Sequence, residues 1–472
     1  PNVSEATRLV KLSETLPAQE ALAQVRGVFQ NLRVSEDAFA LRHLFFAERA
    51  ATRIDGIDAP PNTIKRVGLV GGGTMGQGIC RAVLAAGLPV TLIERDPDSR
   101  DRTALAMQQA MDGAVSKGRI TAQVAQHRMD LLTVSDQIQD LADCDLVLEA
   151  VFEDMAIKKD LFRSLDAILK PGAILASNTS YLDIDKMASV TSRPGNVVGL
   201  HFFSPADVMK LLEVVRTSSS SQSSLATALW FAKFLNKQAV VSRVAEGFIG
   251  NRIYSAYRRQ AEFLVEDGAT PEDVDKAATE FGFAMGPFAV GDMSGLDIGW
   301  NMRKRQAATR NPDTRYVDIP DWLCEAGRFG RKTKGGYYDY INGKAQPSAI
   351  TAKIIAAARA AKGITPRKIS PKAIQDRLMG AILNEAALVL KEGIAQRPSD
   401  IDVTLVHGYG FPRWTGGPLW WASGQTHHSI ADMSDGVAVA AGTGHVSDDI
   451  EDMIAPLREA RQDIDKRKLG HA

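Results

Sequence analysis

Apolar residues recur at helical spacing through ALAQVRGVFQNL and again through AFALRHLFFAERAA, so residues 1 to about 60 are predicted to be helical. In ALRHLFFAERAA, Leu41, Leu44, Phe45 and Ala50 are predicted to share one face that packs against the later helices. DGIDAPPN breaks the pattern, and Pro60 and Pro61 mark a boundary. From Lys65 the texture changes to short apolar runs: RVGLVGGG, VTLIER, DLVLEAV, AILASN, VVGLHFF and LLEVV. Helical stretches separate several of them, which predicts a mostly parallel sheet covered on both faces. The run RTSSSSQSS reads as a polar loop and helix N-cap. From about Ala245 onward the chain is predicted to be helical.

That helical part carries an internal repeat. NRIYSAYRRQAEFLVEDGATPEDVD resembles DRLMGAILNEAALVLKEGIAQRPSDID, with Arg252 matching Arg377 and Gly268 matching Gly393 at an offset of 125. Asp275 matches Asp402, and FGFAMGP and YGFPRWTGGP then follow in step. The expected organisation is a helical linker over 1–63, an α/β nucleotide-binding domain over 64–244, and two repeated all-α domains over 245–344 and 345–472.

Composition narrows the function classes. A chain of 472 residues is too long for one compact domain. Its 56 basic and 56 acidic side chains balance, so charge gives no reason to expect nucleic acid or an anionic membrane as partner. No apolar run reaches the ~20 residues needed to span a bilayer. Cys80, Cys144 and Cys324 form no CxxC pair and are too few for a disulfide framework, which fits a reducing compartment. No metal site is expected. PNVSEATRLV has no basic-then-apolar signal pattern, and KRKLGHA does not end in SKL, so a cytoplasmic location is expected.

GLVGGGTMGQG places Gly71, Gly73 and Gly76 in the spacing GxGxxG, after a predicted strand and at the start of a predicted helix. Gly71 permits the tight turn, Gly73 lets backbone approach a pyrophosphate, and Gly76 lets helix pack on strand. The pyrophosphate then meets free N–H groups at the helix N-terminus. Glu94 ends VTLIE, 18 residues after Gly76, near the spacing of an acid that binds a ribose 2′-hydroxyl. A carboxylate there favours NAD over NADP, and the neighbouring Arg95 reads as a solvated surface arginine.

His201 lies in VVGLHFF, and Glu213 follows in LLEVV. Parallel strands are expected to bring both to one edge of the sheet, where ligands bind. Oxidising an alcohol by hydride transfer needs a base for the hydroxyl proton, and an imidazole titrates near working pH. A carboxylate on the other ring nitrogen orients such a ring and favours its charged form. A carboxylate inside an apolar run needs a partner, which singles out Glu213.

In this order after GGGTMGQG, the segments ASNTS, GLHFFSPADVMKLLEVV and EGFIGNR resemble the L-3-hydroxyacyl-CoA dehydrogenases, strongly from about Lys65 to Asp339. The wider layout is similar to the dehydrogenase half of multifunctional fatty-acid oxidation enzymes, which join an enoyl-CoA hydratase to this module. The resemblance implies a Rossmann-type domain and NAD-dependent oxidation of (S)-3-hydroxyacyl-CoA to 3-ketoacyl-CoA in β-oxidation. It makes His201 the base, Glu213 its carboxylate partner, Ser180 a hydrogen bond to the substrate hydroxyl region, and Asn251 the amide near the reacting carbonyl. It assigns Gly71, Gly73, Thr74, Met75, Gly76, Glu94, Ala150, Val151, Glu153, Lys158, Asn178 and Lys332 to the cofactor, and Lys117 to the coenzyme A phosphates.

Two positions depart from the family pattern. Ser204 replaces the Asn of HFFNP, a swap common in multifunctional members, and Ala110 replaces a coenzyme A-contacting serine of single-function members. Asp376 stands where the second helical copy would repeat Asn251, so that copy reads as scaffold. It is expected to occupy, in cis, the place that a second subunit takes in single-function relatives, giving a monomer with respect to that contact. A hydratase or thiolase is the kind of protein partner implied. About 60 residues are too few for a hydratase core of their own, so no hydration activity is expected from them. Two other readings compete: a related dehydrogenase of free hydroxy acids, and a non-catalytic protein on the same fold.

Overall fold

The N-terminal helices expected from apolar periodicity form α1 (Asn2–Ser13), α2 (Ala18–Leu32) and α3 (Glu36–Ala50). In α3 the buried stripe is Ala40, Leu44 and Ala47, continued by Ala51 just beyond the helix. Leu41 and Phe45, expected on that face, are 37% and 47% exposed. Leu44 is buried as expected, but the rest of the stripe is formed by small alanines, which allow closer approach than the large side chains of Leu41 and Phe45. The computed structural model describes residues 2–54, 56–441, 446–447 and 449–469, so the last three residues of KRKLGHA lie outside it.

The chain divides into two compact units, one of residues 47–252 and 389–409, the other of residues 1–46, 253–388 and 410–472. The first unit is built on an eight-stranded sheet. Its strands are β1 (Val67–Val70), β2 (Val90–Ile93), β3 (Leu132–Ser135), β4 (Leu146–Glu149), β5 (Ile174–Ser177), β6 (Val197–Phe202), β7 (Leu211–Arg216) and β8 (Gln238–Arg243). They run in the order β3-β2-β1-β4-β5-β6-β7-β8. All neighbouring pairs are parallel except β6 and β7. This is a Rossmann-type sheet, and the six apolar runs supply six of its strands. The two unforeseen strands, β3 and β8, are the sheet's edges. An edge strand is covered on fewer sides, so β3 carries no continuous apolar run.

Helices cover both faces. Alternate residues of the strands pack with α4 (Thr74–Ala85), α5 (Pro97–Ser116) and α9 (Gln222–Phe234) on one side. The others pack with α7 (Met155–Ile168) and α8 (Ile184–Ala188) on the opposite side, while α6 (Ala122–Asp130) precedes β3. Ser221 caps α9 by accepting the Ser224 N–H, as the serine run suggested.

The second unit is mainly helical. It draws on α10 (Gly250–Asp267), α11 (Pro271–Phe281), α12 (Pro287–Ser294), α13 (Leu296–Gln306), α14 (Ile319–Glu325), α15 (Ala349–Ala361) and α16 (Pro371–Lys391). After α17 (Pro398–Gly408) come α18 (Pro418–Ser423), α19 (His427–Ala441) and α20 (Ile450–Leu469). A hairpin of β9 (Tyr338–Ile341) and β10 (Lys344–Pro347) interrupts the helices that were expected throughout. Asn342 and Gly343 both have positive φ at its turn, the Asn-Gly signature of a tight hairpin.

The first unit includes α17. Residues 389–409 reach it through backbone pairing: Arg243 N–H donates to Ile394 O at 3.0 Å, and Ser242 bridges Ala395 antiparallel. Gly408 sits so close to β7 that a Cβ there would lie 2.5 Å from Leu211.

Candidate active site

The glycine turn leads from β1 into α4. Gly71 has φ +100°, and a Cβ there would lie 2.8 Å from the Ala150 carbonyl. A Cβ on Gly76 would lie 1.8 Å from the Gly71 carbonyl, so helix and turn meet only without a side chain. Gly73 is the N-cap of α4 and makes no side-chain cap bond, while a Cβ there would meet open space. Thr74 and Met75 form the first turn of α4. This open, uncapped helix start fits a pyrophosphate. Glu94 follows β2, and its carboxylate accepts the Gly72 N–H, so it stands beside the turn.

His201 and Glu213 are brought together differently from the expectation. Only eight residues join β6 to β7, too few for a parallel crossover, so the strands run antiparallel. His201 and Glu213 are then direct cross-strand partners. Nδ1 of His201 lies 2.7 Å from Glu213 Oε2, and both residues are buried. A carboxylate accepts, so Nδ1 carries the hydrogen, and in the neutral ring Nε2 is left as the acceptor. Ser180 Oγ lies 3.2 Å from that Nε2. The second Glu213 oxygen accepts the N–H groups of Ile249 (3.2 Å) and Gly250 (3.0 Å). One carboxylate thereby ties the imidazole to the segment that opens α10, where Asn251 follows Gly250. The rings of Phe203 and Phe248 flank His201 at 4.5 and 5.6 Å.

A second buried carboxylate escaped the sequence reading. Glu149 ends β4 and is fully buried. Lys158 Nζ lies 2.8 and 2.7 Å from its two oxygens, the Ser177 hydroxyl donates to it, and Val151 N–H donates at 3.1 Å. Lys158 also lies 3.3 Å from Glu153. Glu153 in turn accepts the Thr179 hydroxyl at 2.6 Å and the N–H groups of Ser180 and Tyr181 at 3.1 and 3.3 Å. The Lys158 cluster therefore holds the loop that carries Ser180. The signal was present in DLVLEAV, a carboxylate inside an apolar run, as in LLEVV. Asn178, at the end of β5, accepts the Phe202 N–H at 2.8 Å and so fastens that loop to β6.

Lys117 is exposed at the C-terminus of α5, and Ala110 is half-buried within it. Lys332 belongs to the helical unit and pairs with Asp297 at 2.5 Å. Asp376 pairs with Lys372 at 2.5 Å. The three cysteines are free and buried. Burial pushes the Cys80 thiol up to about 12 and those of Cys144 and Cys324 up to about 11, which disfavours thiolate chemistry at them.

Two family models match the chain: 3-hydroxyacyl-CoA dehydrogenase, NAD binding domain, over residues 66–245, and 3-hydroxyacyl-CoA dehydrogenase, C-terminal domain, over residues 247–340. The peroxisomal bifunctional enzyme of Cavia porcellus is 42% identical over 437 residues, covering 88% of this chain and 60% of that protein. This chain spans about 60% of the length of such curated relatives. Among solved structures, the dehydrogenase part of multifunctional enzyme 1 from C. elegans has a TM-score of 0.64 at 27% identity, covering 87% of this chain and 96% of that one. The 3-hydroxybutyryl-CoA dehydrogenase of Escherichia coli shares the fold, with a TM-score of 0.72 at 24% identity, covering 84% of this chain and all of that one.

Proposed function

Since the chain belongs to the 3-hydroxyacyl-CoA dehydrogenase family, we propose that it oxidises (S)-3-hydroxyacyl-CoA to 3-ketoacyl-CoA with NAD, as a step of fatty-acid β-oxidation. The observation that carries this reading is the line Ser180–His201–Glu213, in which Glu213 holds Nδ1 of the imidazole and Nε2 faces the Ser180 hydroxyl as the acceptor. Bound NAD supplies the hydride acceptor. His201 Nε2 takes the hydroxyl proton, and Glu213 holds the imidazolium that results. Ser180 orients the hydroxyl beside Nε2. Asn251 donates its amide to the carbonyl oxygen, where charge gathers in the reverse reaction. Glu94, beside the glycine turn, takes the ribose hydroxyls and disfavours a 2′-phosphate. Glu153 and Lys158 hold the loop next to the nicotinamide half. Lys117 is the residue for the coenzyme A phosphates.

The second helical segment is read as a degenerate copy of the first. Two ion pairs support this. Arg252 pairs with Glu392 at 2.6 Å, and Arg377, its match at an offset of 125, lies 3.5 Å from Asp267, the match of Glu392. Such a reciprocal pattern is what a two-fold pair of copies produces. A copy in cis would leave a monomer at that contact. Curated relatives are named as peroxisomal enzymes, and the cytoplasmic location expected from sequence finds no support in those names. Among the described residues no helix is long and apolar enough to cross a membrane.

The test is NADH absorbance with acetoacetyl-CoA as substrate. Consumption of NADH is expected. No consumption above background, with NADH binding intact, would favour a non-catalytic protein on this fold.

A further inference from the structure

Asn251 opens α10, and its side-chain oxygen accepts a hydrogen bond of 2.8 Å from the Tyr409 hydroxyl. Tyr409 follows α17, in the second helical copy. Its ring is held closely: a Cβ on Gly250 would lie 2.4 Å from it, and Phe203 meets it edge-on at 5.5 Å. The same Phe203 touches the His201 ring. The helix before it is pinned as well. His407 lies 2.8 Å from Glu48, and Arg397 donates to the Arg53 carbonyl at 2.6 Å.

A primary amide has an acceptor edge and a donor edge, and a half-turn exchanges them. A carbonyl that gathers negative charge needs the donor edge. A phenol donating to Oδ1 fixes the amide so that Nδ2 is the edge left for a ligand. We propose that Tyr409 is a positioning residue, supplied by the second helical copy, that sets which edge of the Asn251 amide meets the reacting carbonyl. The second copy then does more than fill space, although Asp376 has replaced its own amide. In the first copy the matching residue of FGF and YGF is Phe281, so the hydroxyl is particular to the second. This inference rests on the reading of Asn251 as a substrate contact.

The experiment is a double-mutant cycle in acetoacetyl-CoA reduction by NADH, with Tyr409→Phe, Asn251→Ala and both together. NADH binding and melting temperature are measured on each protein. Tyr409→Phe keeps the ring and is expected to lower kcat roughly three- to tenfold, with KM, NADH affinity and melting temperature near wild type. Asn251→Ala is expected to cost about 10²-fold. The double variant should be no slower than Asn251→Ala alone. If Asn251→Ala is impaired but Tyr409→Phe is not, the inference is overturned while the reading of Asn251 stands. If Tyr409→Phe slows both backgrounds equally, or lowers kcat only along with melting temperature, Tyr409 acts otherwise than through the amide. An Asn251→Ala enzyme as fast as wild type would overturn the reading of Asn251 and the inference with it.

Discussion

Glu213 and Glu149 are two fully buried carboxylates on one sheet, and they treat their nitrogen partners in opposite ways. Glu213 holds one nitrogen of an imidazole, and the other nitrogen meets only a serine hydroxyl at 3.2 Å among the bonds described. Glu149 grips an ammonium with both oxygens, and that ammonium reaches Glu153 at 3.3 Å and the Val151 carbonyl at 3.4 Å as well. An ammonium has three hydrogens, and here each has an acceptor. The first arrangement leaves an atom that can take up a proton; the second is closed. A charged residue in an apolar strand thus announces a partner, and the partner's remaining atom decides between chemistry and scaffolding. Glu153 links the two by holding the Ser180 loop and Lys158 together.

The closed site should answer most strongly in stability. Lys158→Met leaves Glu149 buried without its cation, a loss of about 3–5 kcal/mol that lowers the urea midpoint. Adding Glu149→Gln should recover part of it, since the stranded charge is gone. An unchanged midpoint for Lys158→Met would erase the contrast. The open site should answer in turnover instead. Glu213→Gln presents an amide N–H to a ring N–H, and turnover should fall about 10²-fold with a smaller change in midpoint than Lys158→Met gives. Normal turnover in that variant would mean that the carboxylate merely packs the strand. A third, partly buried carboxylate should show the least. Glu94 holds one backbone N–H beside the glycine turn, and Glu94→Ala should narrow the preference for NAD over NADP several-fold, by roughly 1 kcal/mol of lost discrimination. Equal use of both cofactors by the unaltered protein would remove that role from Glu94.

Much of this was legible in the sequence because each feature has a local cause. The glycine spacing, the six apolar runs and the serine cap are read within a few residues. His201 and Glu213 were both visible, but their antiparallel pairing depended on the shortness of residues 203–210. The hairpin at Asn342 and Gly343 had its turn signal, lost among helical neighbours. Glu149 gave the same signal as Glu213, a carboxylate inside an apolar run, but no histidine at a matching strand position drew attention to it. Tyr409 had no local signal. Its bond to Asn251 spans 158 residues, and nothing short of the fold brings them together. On the face of α3, Leu44 was read correctly, while Leu41 and Phe45 were placed there because large apolar residues outweigh alanines in a periodic pattern, although close helix packing favours the small ones.

The most direct measurement of the account is NADH formation from (S)-3-hydroxybutyryl-CoA and NAD by the unaltered protein and by His201→Gln, with NADH binding measured on both. Gln keeps the approximate volume of the imidazole and cannot titrate. NADH formation by the unaltered protein, a fall of about 10²–10⁴-fold in the variant, and nearly equal NADH affinity in the two are expected. A variant within a few-fold of the unaltered protein would contradict the assignment of His201 as the base.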